Sequence, residues 1–207
     1  VLQLKLSKSW VEYPLHFHEL GASESELILD NDKVRVYTIP LKHRIYTNGF
    51  LFKEKTQTRK LNMSIIDRYP EIDICDYQNL KNGKDFKCLD GSIIPNEKLT
   101  FDPPRPLSYA YCSDTEYDES ILPIIKGTDL LYHESTFLEE HHELAVKTKH
   151  STAKQAGTIA KMAQVNKLLL GHYSSRYKSI ELFLQEANQV FEQVELAQAG
   201  KEISISL

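Results

Sequence analysis

Hydrophobic and polar positions alternate over residues 26–30 and again over 34–39, with Asn31-Asp32 between them, a pattern that predicts two strands joined by a tight turn. Residues 49–53, GFLFK, predict a third strand, with a turn at Asn48-Gly49 ahead of it. From about 55 to 100 the periodicity fades and Asn, Gly, Asp, Lys and Pro dominate. That is too long for a routine loop in a compact domain, so it predicts a functional excursion or an appended arm. Order returns with a short strand at 108–112, SYAYC, a helix at about 118–126 and a strand at 129–132, DLLY. Two helices come next. In the one opening at Ser151, Ala156, Ile159, Ala160 and Ala163 recur at helical spacing, and Ser151 or Thr152 can cap it. A strand at 167–170, KLLL, leads to a helix whose apolar stripe is Ile180, Phe183, Leu184, Ala187 and Phe191. Strands near 194–197 and 202–206 close the chain. Strands alternating with helices in the second half predict an α/β layered domain, and there is no internal repeat.

Composition narrows the class of protein. With 207 residues, 41% hydrophobic and 26% charged, the chain is long enough for one ordinary core or most of a larger single domain. No apolar run approaches the length that spans a bilayer, and the N-terminus lacks the order of a secretory signal, so a cytoplasmic protein with no membrane partner is expected. Cys75, Cys88 and Cys112 have neither the pairing nor the spacing of a disulfide framework or zinc knuckle, which points to the same reducing compartment. A net charge of −4 is opposite to what phosphate binding favours. Its distribution changes the picture, because Lys53, Lys55, Arg59, Lys60, Arg68, Lys81, Lys84 and Lys87 load the central stretch with positive charge. Taken alone, such a run is also what a solvated basic surface looks like.

Three residues of metal-ligand type follow predicted strands. His43 comes after Ile39-Pro40-Leu41, Asp114 after SYAYC, and His172 after KLLLG. Hydrolysis of a phosphodiester at neutral pH needs an activated water and neutralisation of charge on the phosphate, and two metal ions about 3.5–4 Å apart supply both. A single histidine at a strand end is more often structural. Three such residues after three strands shift that balance without naming an enzyme.

The segments Ser113-Asp114-Thr115, His133-Glu134-Ser135-Thr136-Phe137, His150-Ser151-Thr152 and His172-Tyr173-Ser174-Ser175-Arg176-Tyr177 together resemble ribonuclease Z of the metallo-β-lactamase superfamily. The match begins at Pro40-Leu41-Lys42-His43-Arg44 with Gly49-Phe50 beyond it, and runs in order to Glu195-Leu196-Ala197. The resemblance implies an α/β four-layer αβ/βα fold and a zinc-dependent endoribonuclease that removes the 3′ trailer of precursor tRNA, leaving a 3′-hydroxyl. It implies that His43 and His172 are ligands of the two zinc ions of a complete chain and that Asp114 bridges them. It further implies that His150 is the catalytic histidine, that Glu134 orients it, and that Arg176 meets an RNA phosphate. In the family an arm at this place grips tRNA, reaching from one subunit of a homodimer to the substrate of the other; the resemblance implies that residues 55–95 fill that role, by position and charge rather than by motif, with Lys53, Lys55, Arg59 and Lys60 as expected phosphate contacts.

Departures from the family pattern are as informative. The motif His-x-His-x-Asp-His is absent, so residues 1–207 are expected to be the C-terminal two-thirds of one domain, an incomplete fold that is inactive by itself. His16-Phe17-His18-Glu19-Leu20 imitates half of that motif, but no Asp-His follows and His43 is too near, so these histidines are expected to bind no metal. Ser113 stands where the family has Gly, which requires its backbone to avoid conformations reserved for Gly. Two other readings remain open, a different phosphodiesterase of this fold and an inactive chain that binds tRNA or supports a dimer.

Overall fold

The structure is a computed structural model and describes residues 16–205. Its frame is a seven-stranded mixed sheet. Strands β1 (Leu27–Asp30), β2 (Val34–Leu41), β3 (Thr47–Glu54) and, beyond an excursion, β8 (Ser108–Cys112) pair antiparallel. From β8 onward β9 (Leu130–Glu134), β10 (Lys167–Gly171) and β11 (Val194–Leu196) add in parallel. The change from antiparallel to parallel follows from the connections. β1 and β2 share a short turn held by Asn31, whose side-chain oxygen accepts from the Lys33 and Val34 amides, whereas helical crossovers join the later strands.

Cross-strand partners share a face, and the two faces differ in chemistry. Ile39, Leu51, Ala110, Leu131, Leu168, Leu170 and Leu196 point to one side and build the main core with Ile125, Ile159, Ala160, Phe183 and Ala187 from the helices. Those helices are α4 (Leu122–Ile125), α6 (Ala153–Met162) and α7 (Glu181–Ala187). On the other face Phe52 stacks on Tyr109 and Tyr111 on Tyr132, with Phe52 and Tyr111 both 37% exposed. One sheet and one helical layer thus account for two of the four expected layers among the described residues. No helix among them is long and apolar enough to cross a membrane.

Between β3 and β8 the chain forms a small unit of its own. Strand β4 (Lys60–Leu61) pairs with β7 (Thr100–Phe101), and β5 (Phe86–Lys87) with β6 (Ile93–Ile94). With α1 (Met63–Ile66), α2 (Tyr77–Lys81) and α3 (Asn96–Leu99), they surround a second core of Ile66, Ile72, Leu80, Ile94 and Leu99. These elements are too short to leave a periodic trace in the sequence. Its stem is closed where the Glu54 amide donates to the Leu107 carbonyl at 2.9 Å and the Leu107 amide to Glu54 Oε2 at 2.9 Å.

Several elements differ from the expectation. Asn48-Gly49 is not a turn but lies inside β3, where Gly49 lets the Tyr111 carbonyl come closer than any Cβ would allow. The helix expected over 118–126 is a 3-10 turn, Glu119–Ile121, followed by α4, with Pro123 able to sit only near a helix start. Helix α7 stops at Ala187, although Phe191 still packs against the main core. Residues 202–205 form no strand, and β11 is the last strand of the sheet among the described residues.

Candidate metal and catalytic site

The site lies where three strands end. After β8 the chain turns through Asp114, and after β10 through His172, and both adopt left-handed backbones with φ of 57° and 61°. Such conformations cost about 1–2 kcal/mol each in L-residues, and here the sheet that runs into them holds them in place. Ser113 has no positive φ, so the step from Gly to Ser is tolerated. Gly171, just ahead of His172, lies under the Tyr132 hydroxyl so closely that a Cβ would collide with it.

Glu134, the last residue of β9, is fully buried and acts as the hub. Its Oε1 accepts from the Thr115 amide at 2.7 Å and from His150 Nδ1 at 2.7 Å. Its Oε2 accepts from the Thr136 hydroxyl at 2.6 Å and from the amides of Ser151 at 3.1 Å and Thr136 at 3.2 Å. Burial alone would push its pKa up. The bonds from His150 and Thr136, the His150 charge and the Ser151 amide outweigh it and hold the carboxyl below its ordinary range. Thr152, not Ser151, caps α6, in a reciprocal box with Gln155. Ser151 is spent on Glu134, and its hydroxyl donates to the Thr115 carbonyl.

Asp114, Glu134, His150 and His172 each present a ligand-type atom, all within 4.8 Å of one another. His172 Nε2 lies 3.1 Å from Asp114 Oδ1. The His150 ring is stacked on His172, with centroids 5.3 Å apart, and lies 4.9 Å from the ring of His43. His43 is beside this group rather than within it. Its Nδ1 is 2.8 Å from the Lys149 carbonyl, in a residue whose own left-handed backbone, φ 62°, turns that carbonyl toward the ring. A carbonyl and a carboxylate can only accept, so His43 and His150 both carry the proton on Nδ1 and keep Nε2 for a ligand. Imidazole nitrogens beside a carboxylate, with no thiolate among them, are a donor set that fits a divalent ion such as zinc.

The remaining residues named from the sequence lie around this group or away from it. His16 and His18 are exposed in irregular chain and belong to no such group. Arg176 lies over the Phe137 ring, 5.4 Å from its centroid, and Phe137 meets the His150 ring edge-on at 6.3 Å, so the guanidinium borders the site. Of the four basic residues at the arm, Lys55 pairs with Asp30 and Arg59 with Asp102, and Arg59 Nε also donates to the Thr100 hydroxyl at 2.6 Å. Lys53 lies over Tyr37 at 5.9 Å, and Lys60 is exposed. Sequence reasoning does not single out Thr136 or Lys149. Thr136 sits in plain view within the His-Glu-Ser-Thr segment, but nothing in a sequence announces that a lysine will contribute its carbonyl. His133, on the opposite face of β9, is driven toward its neutral form by burial. Its Nδ1 is 2.8 Å from the Glu134 carbonyl, and its Nε2 has no partner.

No family model matches the chain. A ribonuclease Z from Cytophaga hutchinsonii is 46% identical over 207 residues, covering 99% of this chain and 65% of that protein. The ribonuclease Z of Porphyromonas gingivalis is 48% identical over 179 residues, covering 86% of this chain and 59% of that protein. The chain therefore spans somewhat less than two-thirds of these relatives. Human tRNase Z, short form, superposes with a TM-score of 0.54 at 22% identity, over 88% of this chain and 48% of that one. A metallo-β-lactamase fold protein from Bacillus subtilis gives 0.54 at 19%, over 84% and 50%. The sheet and its helical layer are thus those of the metallo-β-lactamase fold.

Proposed function

Over nearly all of its length this chain is a homologue of ribonuclease Z, and on that premise we propose that the protein it represents is a zinc-dependent endoribonuclease that removes the 3′ trailer from precursor tRNA and leaves a 3′-hydroxyl on the tRNA. The observation that carries the reading is the His150–Glu134 pair, 2.7 Å between Nδ1 and Oε1, set against Asp114 and His172. A hydrolase of small molecules needs ligands. A nuclease whose leaving group is a ribose oxygen also needs a proton donor, and a buried carboxylate behind an imidazole provides one.

His43, Asp114 and His172 would hold the two zinc ions of the complete protein, and those ions would supply an activated water and charge neutralisation at the phosphate. His150, protonated at Nε2, gives that proton to the departing 3′ oxygen of the tRNA. Glu134 keeps the ring in register through the Nδ1–Oε1 bond. Arg176 presents its planar guanidinium to a phosphate beside the scissile bond. The unit between β3 and β8 grips the body of the tRNA, and the protein works as a homodimer.

The test separates proton donation from metal binding. In the complete enzyme His150→Ala should lower kcat on precursor tRNA by about 10²–10⁴-fold while zinc content stays whole. The loss should shrink on a nitrophenyl phosphodiester, whose leaving group needs little protonation. Loss of zinc, or equal losses on both substrates, would remove His150 from this role. Cleavage of small diesters with no action on precursor tRNA would instead favour another phosphodiesterase of this fold.

A further inference from the structure

Three imidazoles at the site each rest Nδ1 on a protein group, but only two of those groups dictate where the proton sits. The Lys149 carbonyl does so for His43 and the Glu134 carboxylate for His150. His172 rests instead on the Thr136 hydroxyl, 2.7 Å from Oγ1 to Nδ1, and a hydroxyl can donate or accept. We propose that Thr136 is a positioning residue that fixes the tautomer of His172, because Glu134 claims the only proton its hydroxyl has to give. This rests on the reading of His172 as a metal ligand given above.

The Thr136 hydroxyl is 2.6 Å from Glu134 Oε2, and an ionised carboxylate accepts and never donates. Glu134 stays ionised, since its hydrogen bonds more than offset its burial. The hydroxyl proton therefore points at Glu134, its lone pair faces His172, and His172 Nδ1 carries the hydrogen. Nε2 is then a bare lone pair 3.1 Å from Asp114 Oδ1. Two acceptors facing each other at that distance call for a cation between or beside them. Were the hydroxyl reversed, Nε2 would carry the hydrogen and donate it to Asp114, and the site would satisfy itself without an ion. One buried carboxylate therefore orders both halves of the site, His150 directly and His172 through a single hydroxyl. Metal-binding histidines commonly donate their second N–H to a protein acceptor in this way, and loss of that acceptor typically costs about 10–100-fold in metal affinity.

The experiment is nitrogen NMR of the histidine rings in intact, metal-free protein at a pH where the imidazoles are neutral, together with zinc titration. His172 should be the Nδ1–H tautomer in the parent. Thr136→Ser should retain it, and the near-isosteric Thr136→Val should shift His172 toward Nε2–H while His43 and His150 stay unchanged. Zinc affinity should fall about 10–100-fold in the valine variant and recover in the serine variant. An Nε2–H signal for His172 in the parent would overturn the proposal without recourse to any variant, and so would a folded valine variant with parental tautomer and affinity. If the complete, zinc-loaded protein leaves precursor tRNA intact while its metal-free form shows the Nδ1–H tautomer, this inference stands and the ribonuclease reading falls.

Discussion

At the scale of the residue, the site is made by backbone as much as by side chains. Asp114 and His172 present their groups from left-handed turns, and Lys149 turns its carbonyl to His43 from a third. If Asp114 serves both metal ions as proposed, Asp114→Ala in the complete protein should strip most of the bound zinc; full zinc occupancy on elemental analysis would take Asp114 out of that role. Gly171→Ala should displace the Tyr132 ring or the turn into His172, and should weaken zinc binding without unfolding the sheet, as read by calorimetric titration beside thermal melting. Much of this is legible in the chain. Asp114, Glu134, His150 and His172 stand out from their motifs, and the structure brings those four together. The groups that escape are those acting through a shared hydroxyl or a peptide carbonyl. Any residue type carries a carbonyl, so sequence holds no signal for Lys149, and the signal for Thr136 is only its place in a motif.

Among the elements, the pattern of hydrophobic positions locates most strands of the main sheet because their inward residues meet one core. It misjudges Asn48-Gly49, since a glycine serves close backbone approach as readily as a turn, and it cannot see short ladders folded around a private core. Asp129, just before β9, ties strands together. Its carboxylate accepts from Arg105 at 2.5 Å, from the Ser108 amide at 2.7 Å and hydroxyl at 2.8 Å, and from Asn166 at 2.9 Å. Burial raises its pKa, but the Arg105 and Ser108 bonds prevail and the value is lowered. A carboxyl held below its unfolded value adds stability above that value and loses it as pH falls through the folded one. Asp129→Asn should therefore cost about 1.5–3 kcal/mol at neutral pH, and the deficit should narrow as pH falls below about 4. A pH-independent difference in denaturant midpoint would contradict this. The arm divides by role. Lys53 and Lys60 are free of carboxylate partners among the described salt bridges, so neutralising both should raise KM for precursor tRNA and flatten its salt dependence, by roughly one log unit of slope for each phosphate that a lysine no longer engages. Arg59→Ala should instead loosen the β4–β7 pair, seen as faster amide exchange there, since its guanidinium joins Thr100 and Asp102.

At the scale of the whole molecule, the described residues clothe the sheet with helices on one side. The aromatic face of Phe52, Tyr109, Tyr111 and Tyr132 is only partly covered, and the curated relatives are about half as long again as the segment matched here. His43, Asp114 and His172 are too few to complete two zinc coordination shells. Residues 1–207 alone are therefore expected neither to cleave precursor tRNA nor to hold zinc tightly. Robust, chelator-sensitive cleavage by this purified segment would mean that it contains a further ligand set beyond those three residues, with His16 and His18 as the first suspects.

The closed stem of the arm bears on how such a protein can vary. Glu54 and Leu107 meet whatever lies between them, and the intervening chain has its own core. The entropy of closing a loop grows only with the logarithm of its length, about 0.6 kcal/mol for each doubling, so the sheet is nearly indifferent to how long the insertion is. Replacing residues 57–103 with a short Gly-Ser linker, which keeps Arg105 on Asp129, should leave the β3–β8 register intact and the stability of the sheet within about 2 kcal/mol, by amide exchange and denaturant unfolding. The insertion can thus be lengthened, trimmed or exchanged with little thermodynamic penalty at the reaction centre, and, if it grips tRNA as proposed, substrate reach is free to evolve on a clock separate from that of the chemistry.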